Sequence, residues 1–156
     1  MVKYLDSMVV FEEIPNEITL AINITNCPCR CKGCHSMSLW DDVGEELTTE
    51  ELKRLIDKNK GITTVCFMGG DREPREISKL ASEISNNPNY NHLKCAWYSG
   101  QDEISSEIDL NFFRYIKIGH YDEQLGGLNK KTTNQKLYKV IENNKLEDIT
   151  HLFKQR

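Results

Sequence analysis

Glu17-Ile18-Thr19-Leu20-Ala21-Ile22-Asn23-Ile24 runs without a break into Thr25-Asn26-Cys27-Pro28-Cys29-Arg30-Cys31-Lys32-Gly33-Cys34-His35. The first half alternates. Ile18, Leu20, Ile22 and Ile24 fall on one face and Thr19, Ala21 and Asn23 on the other, the period of a β-strand. The second half holds four of the six cysteines. The strand therefore presents a cysteine loop at its C-terminal end. Cys27, Cys31 and Cys34 are spaced C-x3-C-x2-C, close enough for three thiolates to converge on one metal. A [4Fe–4S] cluster so held would keep one iron without a protein ligand, whereas such clusters normally take four thiolates. That open position suits a substrate or cofactor. A zinc knuckle with Cys29 as fourth ligand is a second reading, although structural zinc sites usually draw pairs from separated segments. Unligated thiols or disulfides are a third, and disulfides fit poorly with an N-terminus that is not a signal peptide.

Outward from this stretch, strands and helices alternate. Met8–Ile14 reads as a strand, and the Pro15-Asn16 turn makes it a hairpin with residues 17–24. Thr48-x-x-Glu51 is a capping box before Leu52, Leu55 and Ile56 at helical spacing, and Gly61 ends that helix. Thr63–Met68 is a short apolar run that stops at Gly69-Gly70-Asp71. Pro74 opens a second helix carrying Ile77, Leu80, Ala81 and Ile84, which Asn86-Asn87-Pro88 stops. Leu93–Tyr98 is the next strand and ends at Ser99-Gly100. A short helix is expected within 103–113, then a strand over Tyr115–Ile118. Lys136–Ile141 and Leu146–Phe153 flank Asn143-Asn144 and read as a closing hairpin. The alternation predicts βαβ units and a parallel sheet. Ligands of such sheets gather at the strands' C-terminal ends, which brings the cysteine loop, Gly69-Gly70-Asp71 and Ser99-Gly100 to one mouth.

The chain has 156 residues, 38% apolar and 28% charged, with a net charge of −4 and a pI near 5.6. One domain over residues 1–156 is the expectation. No basic stripe points to nucleic acid, and no apolar run approaches the ~20 residues of a membrane helix. Abundant thiols place the protein in a reducing cytoplasm. His35, His92, His120 and His151 read as solvated or structural, and Trp40 as a core or lid aromatic.

C-x3-C-x2-C after an early strand, followed by Gly-Gly-Asp after the next, resembles the radical S-adenosylmethionine (SAM) superfamily. Cys31-Lys32-Gly33-Cys34-His35, Met68-Gly69-Gly70-Asp71 and Thr132-Thr133-Asn134-Gln135 look like the activating proteins of anaerobic (class III) ribonucleoside-triphosphate reductases. Many superfamily members have an aromatic before the third cysteine; the glycine at 33 is shared with these activating proteins. The resemblance implies an α/β fold: a partial (β/α) barrel of the radical SAM type with N-terminal and C-terminal β-hairpin additions. It implies a [4Fe–4S] cluster on Cys27, Cys31 and Cys34, and SAM bound by Gly33, Cys34, His35, Gly69, Gly70, Asp71, Ser99 and Gly100. Asp71 would contact the methionyl amine. Thr133, Asn134 and Gln135 would meet the partner or SAM. The implied activity is reductive cleavage of SAM and hydrogen abstraction from a glycine of the reductase, fed by a donor such as a flavodoxin. An activase of another glycyl-radical enzyme and a small iron–sulfur electron carrier are the alternatives. Cys29, Cys66 and Cys95 have no assigned role.

Overall fold

The computed structural model describes residues 1–29 and 37–153. Its frame is one eight-stranded mixed sheet. The strands in chain order are β1 (Lys3–Val10), β2 (Thr19–Ile24), β3 (Glu45–Glu46), β4 (Thr64–Met68), β5 (Lys94–Tyr98), β6 (Tyr115–Ile118), β7 (Lys136–Ile141) and β8 (Lys145–Asp148). Across the sheet the order is β3-β1-β2-β4-β5-β6-β7-β8. The four central strands, β2, β4, β5 and β6, run parallel, and every other pairing is antiparallel. Ala21, Cys66 and Ala96 stand abreast in the middle of the sheet.

α1 (Thr49–Lys58) and α2 (Pro74–Ser85) supply the β2–β4 and β4–β5 crossovers, whereas β5 reaches β6 through a segment with one 3-10 turn. The Thr48 hydroxyl accepts from the Glu51 amide and caps the helix, but the Glu51 carboxylate takes donors from Tyr4 and Arg54, so the N-cap half of the expected capping box forms; Glu50 and Glu51 lie at the positive end of the helix dipole. Pro74 opens α2, where its missing N–H costs nothing. Leu52, Leu55 and Ile56 of α1 and Ile77, Leu80, Ala81 and Ile84 of α2 form one core with Leu20, Ile22, Ile24, Val65, Phe67, Trp97 and Ile116. Residues one step along the same strands, Cys66, Ala96, Tyr98 and Tyr115, point the other way and are joined by Leu137 of β7. They pack under Ile14, Leu128, Ile149 and Phe153, which come from loops and the C-terminal segment. Both faces are therefore covered, and β2 is buried on both, not on the single face its alternation suggests.

Several boundaries differ from the sequence reading. The first strand is Lys3–Val10, not Met8–Ile14. Residues 11–16 leave the sheet through Asn16 in the left-handed region, φ 68°, and carry Ile14 into the helix-free face. Within 103–113 only a single 3-10 turn forms, at Leu110–Phe112, capped by the Asp109 carboxylate. The closing hairpin is Lys136–Ile141 with Lys145–Asp148. Asn143 and Asn144 turn it with φ of 60° and 57°, a conformation asparagine tolerates. No helix among the described residues is long and apolar enough to cross a membrane.

One buried carboxylate ties the N-terminal ends of the parallel strands together. Glu17 accepts from the hydroxyls of Tyr115 (2.5 Å) and Thr63 (2.7 Å) and from the Lys94 ammonium (3.0 Å). Burial alone would raise its pKa, but these donors outweigh that and hold the carboxyl below its ordinary value.

Candidate metal centre

β2, β4, β5 and β6 end side by side, at Ile24, Met68, Tyr98 and Ile118, and each end feeds a loop. The cysteine loop leaves β2 under tight control. The Thr25 hydroxyl donates to the Val43 carbonyl (2.6 Å). The Asn26 amide donates to the Asp41 carbonyl and the Cys27 amide to that of Leu39, both at 2.9 Å. The loop is thus closed at its base. Arg72 pins that base from the next loop through Nε to the Asn26 carbonyl, 2.9 Å. Cys27 and Cys29 are half-buried. Cys31, Cys34, Gly33 and His35 lie outside the described residues.

Gly69 and Gly70 follow β4 with φ of 110° and 89°. A Cβ on Gly70 would meet the Ile77 side chain at 2.6 Å, so the turn needs glycine for its backbone and for its packing on α2. β5 anchors the turn from the side. The Gly69 amide donates to the Tyr98 carbonyl (2.9 Å), and Trp97 Nε1 donates to the Gly69 carbonyl (2.6 Å).

This turn delivers Asp71 to the loop after β5. Asp71 Oδ1 accepts from the Ser99 hydroxyl at 2.5 Å, and Oδ2 accepts from the Gly100 amide at 3.0 Å. Ser99 is completely buried, and its oxygen also accepts from the Gln101 amide (3.0 Å). Its influence on any ligand therefore passes through Asp71. Cys29 meets the same loop. Its Sγ lies 3.9 Å from Asp71 Oδ2 and 3.5 Å from Gln101 Nε2. A Cβ on Gly100 would come within 2.7 Å of that sulfur, so the missing side chain at Gly100 makes the room Cys29 occupies. Cys29, Gly70-Asp71 and Ser99-Gly100 thus come together.

Further groups at this mouth were not read from the sequence. Lys117 extends along β6 and donates to the carbonyls of Ser99 and Gly119, each at 3.0 Å. His120 Nδ1 lies 2.8 Å from Asp102 Oδ1, and this pairing holds the Asp102 carboxyl below its ordinary value. Gln101 and Arg72 carry no motif, but a lysine in the short apolar strand Tyr-Ile-Lys-Ile was a visible signal.

Of the late polar residues, Thr133 donates to the Gly126 carbonyl (3.0 Å) and the buried Gln135 to the Gly119 carbonyl (3.3 Å), so both brace their own loop. Asn134 differs. Its Nδ2 donates to the His120 carbonyl (3.1 Å), while its buried Oδ1 has no hydrogen-bond partner among the described residues. It lines a cleft of about 370 Å³ with Asp102, His120, Lys136 and Tyr138. Cys66 and Cys95 lie inside the sheet. Burial pushes the Cys95 thiol up to about 12 and that of Cys66 up as well, the mark of inert core thiols.

Thiolates are the donors that iron–sulfur clusters take. A loop closed at its base, with Cys27 at its start and a fixed carboxylate beside it, fits such a group. No curated protein and no solved structure matches the chain. A family model described as a 4Fe-4S single cluster domain matches residues 18–141, from the start of β2 to the end of β7. With the match covering most of its length, the chain belongs to the 4Fe-4S single cluster domain family and is an iron–sulfur protein.

Proposed function

We propose that this protein is a glycyl-radical activating enzyme of the radical SAM type, acting on an anaerobic ribonucleoside-triphosphate reductase. In this reading Cys27, Cys31 and Cys34 hold the cluster, and β2, β4, β5 and β6 belong to a partial (β/α) barrel with hairpin additions at both ends. When bound, the cluster and SAM supply the one-electron chemistry that removes hydrogen from a glycine Cα. The chain's own residues bind and orient. Asp71 takes the methionyl ammonium, because an acid fixed in place suits a cation at close range. Ser99 and Gly100 set the direction of that carboxylate, while Gly69 and Gly70 let the backbone turn where it must. Gly33, Cys34 and His35 complete the cofactor contacts. Asn134, in the cleft it lines with Asp102 and His120, meets the partner's loop or the adjacent cofactor, while Thr133 and Gln135 keep it in position. A flavodoxin-like donor supplies electrons in the cytoplasm.

The observation that carries this reading is the placement of Asp71. One carboxylate on the β4 turn is held by the β5 loop at 2.5 Å and 3.0 Å, and it stands 3.9 Å from a thiol of the cysteine loop. An electron carrier needs a cluster but has no use for an oriented acid beside it. The test is anaerobic incubation of the reconstituted protein with SAM, a reductant and the reductase, followed by EPR. A SAM-dependent glycyl-radical doublet on the reductase is expected. Its absence, with the cluster intact and SAM consumed, would point to a different substrate.

A further inference from the structure

The two edges of the sheet are built differently. β8 closes one edge with Lys145-Leu146-Glu147-Asp148, a short strand exposed throughout and mostly charged, which resists pairing with another strand. The other edge is β1. β3 covers it only at Lys3 and Tyr4, and the register of β1 on β2 shifts between Tyr4 and Asp6, where that cover ends. Among the described residues nothing pairs with the outer side of β1 from Leu5 onward. From Asp6 to Val10 the strand is regular, set against Asn23 to Thr19 of β2. Ser7-Met8-Val9-Val10-Phe11 carries no charge, proline or glycine. Leu5 is 44% exposed, Met8 55% and Phe11 67%. Asp6 is already held by Asn23 Nδ2 at 2.5 Å. An uncharged edge with free amides and carbonyls along it is a template for another strand.

The spacing of these residues says which strand. Leu5, Met8 and Phe11 are placed symmetrically about Met8. Consider two copies joined β1 to β1, antiparallel, about a twofold axis normal to the sheet. Facing residues share a face and neighbours along a strand do not, so the axis must pass through a residue and not between two. With Met8 on the axis, Met8 opposes Met8 of the second copy, Ser7 opposes Val9 and Asp6 opposes Val10. Leu5 and Phe11 of opposite copies then meet at each end. All three exposed apolar side chains are covered, and no like charges face each other. We infer that the occupant of the β1 edge is a second copy of this chain, paired through Asp6–Val10 in this register so that two sheets become one. The inference is independent of the SAM reading. It also reaches the metal centre, because the Lys3 carbonyl of the same strand accepts from the Thr25 amide at the base of the cysteine loop, 2.9 Å.

The test is sedimentation equilibrium of the reconstituted wild type, Met8→Lys and Val10→Lys over a range of concentration. Iron content and circular dichroism check each protein. Both substitutions add one ammonium to the same face of the same edge, and the register gives them opposite outcomes. Met8→Lys sets two ammoniums against each other on the axis and should weaken dimerisation about tenfold or more. Val10→Lys sets each ammonium opposite Asp6 of the other copy and should dimerise at least as well as wild type. A monomeric wild type overturns the inference, whatever other strand the edge then takes. So does a dimer indifferent to Met8→Lys, whose interface lies elsewhere. Equal weakening by both variants overturns it too, since that marks an apolar patch without register. Should either variant fail to fold, hydrogen exchange of the wild type decides. Amides of Asp6–Val10 that slow as protein concentration rises support the pairing, and amides that exchange equally fast at every concentration reject it.

Discussion

Replacing Glu17 with glutamine removes one charge and almost no volume, at the point where the parallel strands begin. The carboxylate is 7% exposed and takes three donors; Oε1 serves both Thr63 and Lys94, and Oε2 serves Tyr115. An amide offers only one acceptor oxygen. Its NH2 must then face either the Lys94 ammonium or the Tyr115 hydroxyl. Removing one member of a buried pair costs about 3–5 kcal/mol. Lys94 keeps 34% of its side chain exposed and can turn to water, so the lower end, about 3 kcal/mol, is expected. Urea unfolding at pH 7 should show a lower midpoint for Glu17→Gln with an unchanged slope. The pH dependence carries a sign. The folded-state pKa of Glu17 is lowered, so its contribution is fully present above the unfolded value of about 4.3 and is lost as pH falls through the folded value. The gap between wild type and variant should therefore be constant near neutrality and close in acid. A gap below about 0.5 kcal/mol at pH 7, or one that persists unchanged at pH 2, would refute the reasoning.

Single replacement of Cys27, Cys31 or Cys34 by alanine should abolish the roughly four irons per chain expected after reconstitution, whereas Cys29→Ala should keep them; iron and sulfide analysis decides. Asp71→Ala should retain iron but bind SAM about tenfold or more weakly, measured by equilibrium dialysis, and unchanged affinity would remove its role. Asn134→Ala should cost no more than about 1 kcal/mol, because one of its two polar ends is unused, yet lower the glycyl-radical yield on the reductase. A stability loss of that size with unchanged yield would reduce it to a loop brace.

The parts legible in the sequence were those governed by local rules. Thr48 and Glu51 announce α1 because a cap is a contact three residues long, and Gly69-Gly70 announce a turn because few other residues adopt their φ. Strand ends at Met68 and Tyr98 were marked by the glycines that follow. What escaped depends on distant partners. The Val- and Phe-rich run over residues 8–14 reads as a strand, but β1 takes its register from β2 through Tyr4↔Ile24 and Val10↔Thr19, and Phe11 is left exposed. Ser99 reads as a ligand contact, yet it is buried and spends its hydroxyl on Asp71. Gly100 reads as a close approach to a ligand, and its room is filled by Cys29. Each of these depends on residues far away along the chain, which no local pattern encodes.

The most direct test of SAM cleavage at this cluster is a product assay. Protein reconstituted anaerobically with iron and sulfide, then given dithionite and SAM, should form 5′-deoxyadenosine and methionine, and Cys31→Ala treated identically should form neither. Wild type that carries a full cluster and binds SAM, yet forms no 5′-deoxyadenosine under these conditions, would contradict the proposed activity.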